Sequence, residues 1–447
     1  MAKEKPKTCP DCGSKNLRAS ADTLDTWFSS GLWTFSTLGW PDNMRGTKKS
    51  GDLKNYHPTS VMETGWDLIF FWVARMMMLS LYFLNEVPFR SLYFHGMILD
   101  PKTGQKMSKS KGTGIDPLIM SEKYGTDALR LALVIGNSPG QNLKLYEEKI
   151  SGYRNFANKL WNITRFSENL PSTAASAKIK PKTLADKWIL SRLNSLIKEV
   201  DQLWDKFSFG EAGQKIYDFV WHELADWYVE ITKIQADQKN SGAILRACLQ
   251  SALKLLHPFA PFVSEEIWQI IFAKKSLLMM EVWPKIAKSL INKTTEKNFA
   301  FIQEIITAIR NLRAEYRVEL SQKVKALVKA QTAQKIINQQ KEIIEYLGRC
   351  HLVLGGKAEK GFISSTFSSG SLAIDLRGKI NIPRERIRLQ NEQAEMKKRF
   401  QEIGKKLANK NFIKNAPGEI VAKEKEKSAS FKNRLDTISQ HLKELEN

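Results

Sequence analysis

The spacing of apolar residues changes several times along the chain, which excludes both a single small domain and a uniform repeat. From about residue 20 to 145, aromatic-rich runs are short and punctuated by Gly and Pro, the texture of an α/β domain. Leu92-Tyr93-Phe94 ahead of His95-Gly96 reads as a strand entering a loop. Asp116-Pro117 opens a helix through Tyr124, and Asp127 starts another through Ile135. The most apolar stretch runs from Leu68 to Leu84 and carries Arg75 in its middle. It is short for a span of about 20 residues, so the reading is a buried helix.

A small, polar, basic spacer covers 172–182, and helical spacing follows it. Leu193, Leu196, Ile197, Val200 and Leu203 fall on one helix face, and Ile216, Phe219, Val220, Trp227 and Ile231 on another. Residues 243–256 and 265–272 give two more, split by His257-Pro258-Phe259-Ala260-Pro261. An α-bundle over 183–322 is expected. Over 323–382 the spacing predicts strands at 324–330, 351–354 and 371–375 and one helix at 333–347. In the last 65 residues, Met396, Phe400, Ile403 and Leu407 form one seam and Phe431, Leu435, Ile438, Leu442 and Leu445 a second. Both are spaced by fours and threes, and Pro417-Gly418 lies in the break between them. That is an antiparallel coiled-coil hairpin.

Charge narrows the partners. Lys+Arg is 69 against Asp+Glu 47, a formal +22 with pI ≈ 9.6, which favours a polyanion. The hairpin's outer faces are too polar for a membrane helix. No apolar leader follows the basic start, and a membrane partner is not expected. Four cysteines (Cys9, Cys12, Cys248, Cys350) exclude a disulfide scaffold and fit a reducing, cytoplasmic setting.

The sharpest motif is Lys106-Met107-Ser108-Lys109-Ser110-Lys111-Gly112. Lysines among small hydroxyl residues suit phosphate oxygens and charge developing on a leaving pyrophosphate. The competing reading is a solvated basic loop.

In its setting the run resembles the signature loop of class I aminoacyl-tRNA synthetases. It follows His95-Gly96-Met97-Ile98-Leu99-Asp100 and precedes Asp116-Pro117-Leu118 and Tyr124-Gly125-Thr126-Asp127-Ala128-Leu129-Arg130. Asp25-Thr26-Trp27-Phe28-Ser29-Ser30, Thr64–Met76 and Arg154–Asn162 resemble the valyl, isoleucyl and leucyl branch. The tail, from Asn381-Ile382-Pro383 through Asn409-Lys410-Asn411-Phe412 to Asn415-Ala416-Pro417, resembles the C-terminal arm of valyl-tRNA synthetases.

The resemblance implies a multidomain, mostly α chain. Residues 1–19 would be a remnant of a zinc-knuckle insertion, and 20–145 the second half of a Rossmann-type α/β catalytic domain. A stem and linker at 146–182, an anticodon-binding helical bundle at 183–322, a small α/β segment at 323–382 and a coiled-coil tRNA-binding arm at 383–447 complete it. It implies ATP-dependent activation of valine and its transfer to tRNA-Val. ATP, with Mg2+, is then a substrate. Lys106 and Lys109 are the implied catalytic cations. Met107, Ser108, Ser110, His95 and Gly96 would complete the nucleotide site.

Trp27, Leu68 and Trp72 would bound the valine side chain, and Asp67 would meet its α-ammonium, a carboxylate matching a cation. Core packing, for the apolar three, and a helix-start carboxylate, for Asp67, are the alternatives. Leu68 and Trp72, four apart, are expected on one helix face. The four bundle tryptophans Trp204, Trp221, Trp227 and Trp268 read as core more than as base-stacking platforms, and His257 as structural.

Two family features have no counterpart here. No two of the six histidines lie within four residues, so the two-histidine loop that binds ATP phosphates is not in this stretch. The editing domain that removes threonine, an isostere no apolar pocket strongly rejects, is not in it either. Cys9-x-x-Cys12 supplies one pair where four-coordinate zinc needs four ligands, so zinc is not expected for this chain alone. A C-terminal half is implied, partnered by a separately encoded N-terminal half or cut from a longer gene. The alternatives are a tRNA-binding half without chemistry of its own and an isoleucine or leucine ligase fragment.

Overall fold

A computed structural model describes residues 6–19, 21–23, 25–107, 114–171, 179–272, 276–330, 333–359, 361–409 and 417–446. The chain divides into two compact units. One is Met1–Asn158 with Glu199–Ile216 and Leu256–Ser264, and the other is Lys159–Lys198 with Tyr217–Leu255 and Glu265–Asn447.

In the first unit, β1 (Met44–Arg45) and β2 (Lys48–Lys49) make a ribbon that turns at Gly46, where φ is 62°. The Lys- and Gly-rich run 42–51 is thus a local turn with few buried residues. β3 (Thr59–Gly65) and β4 (Phe89–His95) pair in parallel, Thr59 opposite Phe89 and Gly65 opposite His95. Parallel strands need a crossover, and the apolar stretch supplies it as one helical segment, Trp66–Leu84. By length and composition this helix could cross a membrane. Here it closes a βαβ unit.

The unit's core is Met62, Val73, Met76 and Phe89. Along the helix only Val73, Met76 and Ser80 are buried. Phe70, Met78 and Tyr82 are 82%, 69% and 81% exposed. The expectation of a buried helix is therefore corrected: the helix forms, but most of its surface is uncovered by this chain.

Downstream, β5 (Ile98–Leu99) and β6 (Leu143–Lys144) pair in parallel. Helix Pro117–Tyr124 starts with Pro in its first turn, and the Asp116 carboxylate accepts the Leu118 N–H at 2.8 Å. Helix Thr126–Val134 follows. Its Ala128, Leu129 and Ala132 pack with Leu145 and Ile150, and Met107 and Ile115 lie against them.

The second unit is mainly helical. Trp188 stacks on Phe299 with centroids 4.1 Å apart, and Trp268 is fully buried. Buried Asp186 accepts the Lys182 and Thr183 N–H groups and the Tyr228 hydroxyl. A four-stranded sheet runs β8 (Cys350–Leu354), β7 (Val324–Ala330), β10 (Gly370–Asp375), β9 (Phe362–Phe367). The β7–β8 pair is parallel and the other pairs are antiparallel. The helix expected at 333–347 is two, Gln334–Gln339 and Lys341–Gly348, broken at Gln340, and β9 was not foreseen.

Finally, Ile382–Ala408 and Gly418–Glu446 pack as two long helices. Asn381 caps the first by accepting the Arg384 N–H at 3.0 Å. Ile403 and Ile438, both seam positions, are buried, and Leu389 joins them.

Candidate active site

A backbone collision fixes the first wall. β4 ends at His95, and a Cβ on the next residue, Gly96, would stand 1.7 Å from the Gln141 carbonyl oxygen. Only glycine allows that approach. Asn142 then accepts the Met97 N–H at 2.8 Å and the Trp66 indole N–H at 3.3 Å.

The chain next makes a hairpin. Leu99 faces Lys106, and the Met107 N–H donates to the Ile98 carbonyl at 3.1 Å. At its tip the Asp100 carboxylate accepts the Lys102 and Thr103 N–H groups at 2.7 and 2.8 Å. The Thr103 N–H holds this carboxyl below its usual range. The hairpin carries Lys106 to the C-terminal end of β3, where its ammonium donates to Asp67 at 3.3 Å. Both side chains are solvated, so the pair is worth well under about 1 kcal/mol and acts by placement.

Asp67, His95, Gly96, Lys106 and Met107 bound a cavity of ≈ 420 Å³ with Leu129, Leu133 and Leu145 on its apolar side. It lies past the carboxyl ends of parallel strands, where open α/β sheets bind ligands. His95 contributes Nε2 3.4 Å from Glu63, while Nδ1 lies 2.9 Å from the Gly96 carbonyl.

Trp27, Leu68 and Trp72 are not on this wall. Trp27 sits on helix Thr26–Gly31, its ring 6.1 Å from Phe71 and 5.4 Å from the Arg75 guanidinium. The Trp72 indole donates to the Ser30 carbonyl at 2.9 Å, locking the crossover helix to Trp27's helix. Leu68 closes a 3₁₀ turn, Trp66–Leu68, and Ile69–Val73 is π-helical. Leu68 and Trp72 are therefore separated by a wide turn and do not share a regular α-helical face, a distortion frequent at functional sites. Ser108, Lys109 and Ser110 lie outside the described residues. Asn142 and Glu63 had no signal in the sequence, since each acts across the chain on a partner set only by the fold.

Three stretches match family models. Residues 2–146 match class I tRNA synthetases (I, L, M and V), 186–328 the anticodon-binding domain of tRNA ligases, and 381–446 the valyl-tRNA synthetase tRNA-binding arm. The chain belongs to the valyl branch of the class I aminoacyl-tRNA synthetases.

Its relatives include valine–tRNA ligases of Carboxydothermus hydrogenoformans, 39% identical, and Clostridium acetobutylicum, 40% identical. Each alignment covers 99% of this chain and 51% of the relative. The chain thus spans about half the length of these synthetases, the C-terminal half. A leucyl-tRNA synthetase from Agrobacterium radiobacter K84, solved with tRNA and LeuAMS, shares the fold with TM-score 0.53 at 23% identity. The match covers 64% of this chain and 35% of that one. The expected synthetase architecture, a Rossmann-like catalytic half followed by a helical anticodon domain, is therefore present.

Proposed function

We propose that the chain is the C-terminal half of a cytoplasmic valine–tRNA ligase and supplies the lysine-loop side of its adenylation site. The observation carrying this reading is the Lys106–Asp67 contact. A hairpin delivers the start of the lysine loop to the mouth of a cavity at the strand ends.

In this reading His95, Gly96 and Met107 form the adenosine side of the cavity. Lys106 and Lys109 neutralise the phosphates, and Ser108 and Ser110 shape the loop between them. Trp27, Leu68 and Trp72 form the apolar side of the valine pocket. The Asp67 carboxylate orients Lys106 and provides an acceptor for the α-ammonium. Mg2+ would arrive on the ATP phosphates, as it keeps its waters and takes few protein ligands. Among the described residues no group of three or more His, Cys, Asp or Glu side chains could hold a metal ion. Cys9 and Cys12 therefore form a pair without a third ligand there. The first half of the catalytic domain, with its histidine loop, comes from the rest of a longer chain or from a second polypeptide. The bundle and the arm hold tRNA-Val.

The test mixes the purified chain with a polypeptide bearing the first half of a valyl-type enzyme. Valine-dependent exchange of pyrophosphate into ATP is expected in the mixture, with tRNA-Val binding by the chain alone. Absence of tRNA binding at low salt, or exchange that survives loss of both Lys106 and Lys109, overturns the reading.

A further inference from the structure

A second hollow lies wholly within the second unit, remote in sequence from the lysine loop. It has a volume of ≈ 400 Å³, and its walls include Arg310, Lys323, Arg349, Ser321, Glu230 and Tyr346. Three cations face one carboxylate, and that carboxylate is already engaged: Glu230 accepts from Lys233 at 2.6 Å. Lys323 has no ion pair or hydrogen bond among the described residues.

The two arginines are held in place by backbone carbonyls. Arg310 spends Nε on the Leu347 carbonyl at 2.9 Å, and its guanidinium lies 5.2 Å from the Trp227 ring centre. The Arg349 guanidinium donates to the Leu320 carbonyl. Behind them Arg313, 4% exposed, donates to the Glu319, Gln322 and Arg349 carbonyls at 2.9, 2.8 and 3.1 Å. One buried guanidinium thus ties the loop after helix Lys293–Glu315 to the turn after helix Lys341–Gly348.

Arg349 occupies the left-handed region, φ 49°, where glycine is usual at a helix end. A non-glycine residue there carries a backbone cost, and its side chain bridges to the Leu320 carbonyl at the rim of the hollow. Burial pulls Arg310 below its usual pKa, Asp226 and Glu230 oppose the fall, and Arg349 adds to it. A cation so placed gains from an arriving anion. Tyr346, 40% exposed, supplies an aromatic wall beside the charges.

We propose that this hollow binds one nucleotide of the bound RNA, its phosphate among Arg310, Lys323 and Arg349 and its base against Tyr346. The size fits, since small-ligand sites run from about 300 Å³ upward. The chemistry fits as well: guanidinium forks and a lysine take phosphate oxygens, and an aromatic face takes any base. The inference rests on the tRNA-binding reading and adds a specific contact to it.

The test measures affinity of the full chain for a tRNA-Val transcript from 50 to 300 mM salt. The variants are Lys323→Ala, Arg349→Ala, Tyr346→Ala and Tyr346→Phe. Loss of a phosphate contact should weaken binding about tenfold in the Lys323→Ala, Arg349→Ala double variant. It should also lower the slope of log K against log salt by about 0.7 to 1. Tyr346→Ala should weaken binding several-fold while Tyr346→Phe does not, and Lys323→Ala, which removes no internal bond, should leave thermal stability unchanged.

If wild-type chain binds and the folded double variant binds equally with the same slope, the pocket assignment fails while the tRNA reading stands. If wild-type chain does not bind, the tRNA reading itself fails. A third arm adds 10 mM inorganic phosphate. Competition that requires Lys323, with the transcript insensitive to Lys323→Ala, assigns the hollow to a free anion and overturns the RNA contact.

Discussion

Asp127 accepts the Val263 N–H at 2.6 Å from a position 136 residues earlier in the chain. It also accepts the Phe262 N–H at 3.3 Å. Those two groups belong to the first turn of helix Pro261–Phe272 and have no partner inside that helix. An aspartate on helix Thr126–Val134 thus does the work of an N-cap from a distance. Arg130, one turn on, donates to the Pro258 and Phe259 carbonyls at 3.0 and 3.2 Å. Burial raises the Asp127 carboxyl, and the two N–H groups oppose the rise.

Asp127→Ala leaves those donors with no acceptor in a buried site. Such a loss costs about 1–3 kcal/mol. Urea unfolding should show a lower midpoint, and Asp127→Asn, which keeps one acceptor oxygen, should lose less. Equal stability of all three proteins would show that water replaces the carboxylate freely.

The acid limb of stability should carry a signature from Glu147. Its carboxylate accepts from Lys123 and from the Tyr124 hydroxyl, the latter at 2.6 Å. Lys123 first, then Tyr124, hold its pKa below the usual glutamate range. A depressed carboxyl stabilises above its unfolded pKa and loses that contribution as pH falls through the folded one. Melting temperatures of wild type and Glu147→Gln should therefore differ most near neutrality and converge as the pH drops below that range. A gap that widens toward acid would reverse the assignment.

Gly96→Ala should be poorly tolerated despite its single added methyl. The new Cβ meets a backbone oxygen, and the Asn142 backbone nitrogen lies 2.7 Å away. Overpacking of this kind costs about 1–3 kcal/mol. The displaced segment carries His95, Met97 and the Lys106 hairpin, so ATP affinity of the reconstituted enzyme should fall with stability. Unchanged stability and unchanged ATP affinity would mean the Gln141 loop simply moves aside.

What the sequence disclosed and what it hid follow from range. Asp116-Pro117 announces its helix because the cap and the fixed proline φ act within three residues. The arm is legible because its seam repeats, and Ile403 and Ile438 are buried as the spacing requires. β9 escaped because Phe362–Phe367 holds two serines and a threonine, and its strand character comes from pairing with β10, Ile363 opposite Ile374. The Lys106–Asp67 contact was hidden for the same reason: one residue is in the motif, and the other lies in the 3₁₀ turn just past a strand, 39 residues earlier. The lysine motif could name the chemistry, but only the β3–β4 pairing and the Asp100 turn decide where Lys106 is held.

The arm should be anchored at one arginine. Arg434 donates to Glu392 at 2.7 Å across the hairpin and to Glu315, at the end of helix Lys293–Glu315, at 2.8 Å. Glu392 also accepts from Arg388 at 2.9 Å, so the contacts form a network. Arg434 is 37% exposed, and solvent screening limits its stabilisation to roughly 0.5–1 kcal/mol. Global stability should therefore barely change in Arg434→Ala. The effect should appear locally, as faster amide exchange over residues 385–400 and 428–443 with the sheet of β7 to β10 unaffected. Uniform loss of protection across the whole unit would instead make Arg434 part of the core. No change in the arm would show that the Ile403, Ile438 and Leu389 packing holds the hairpin without it.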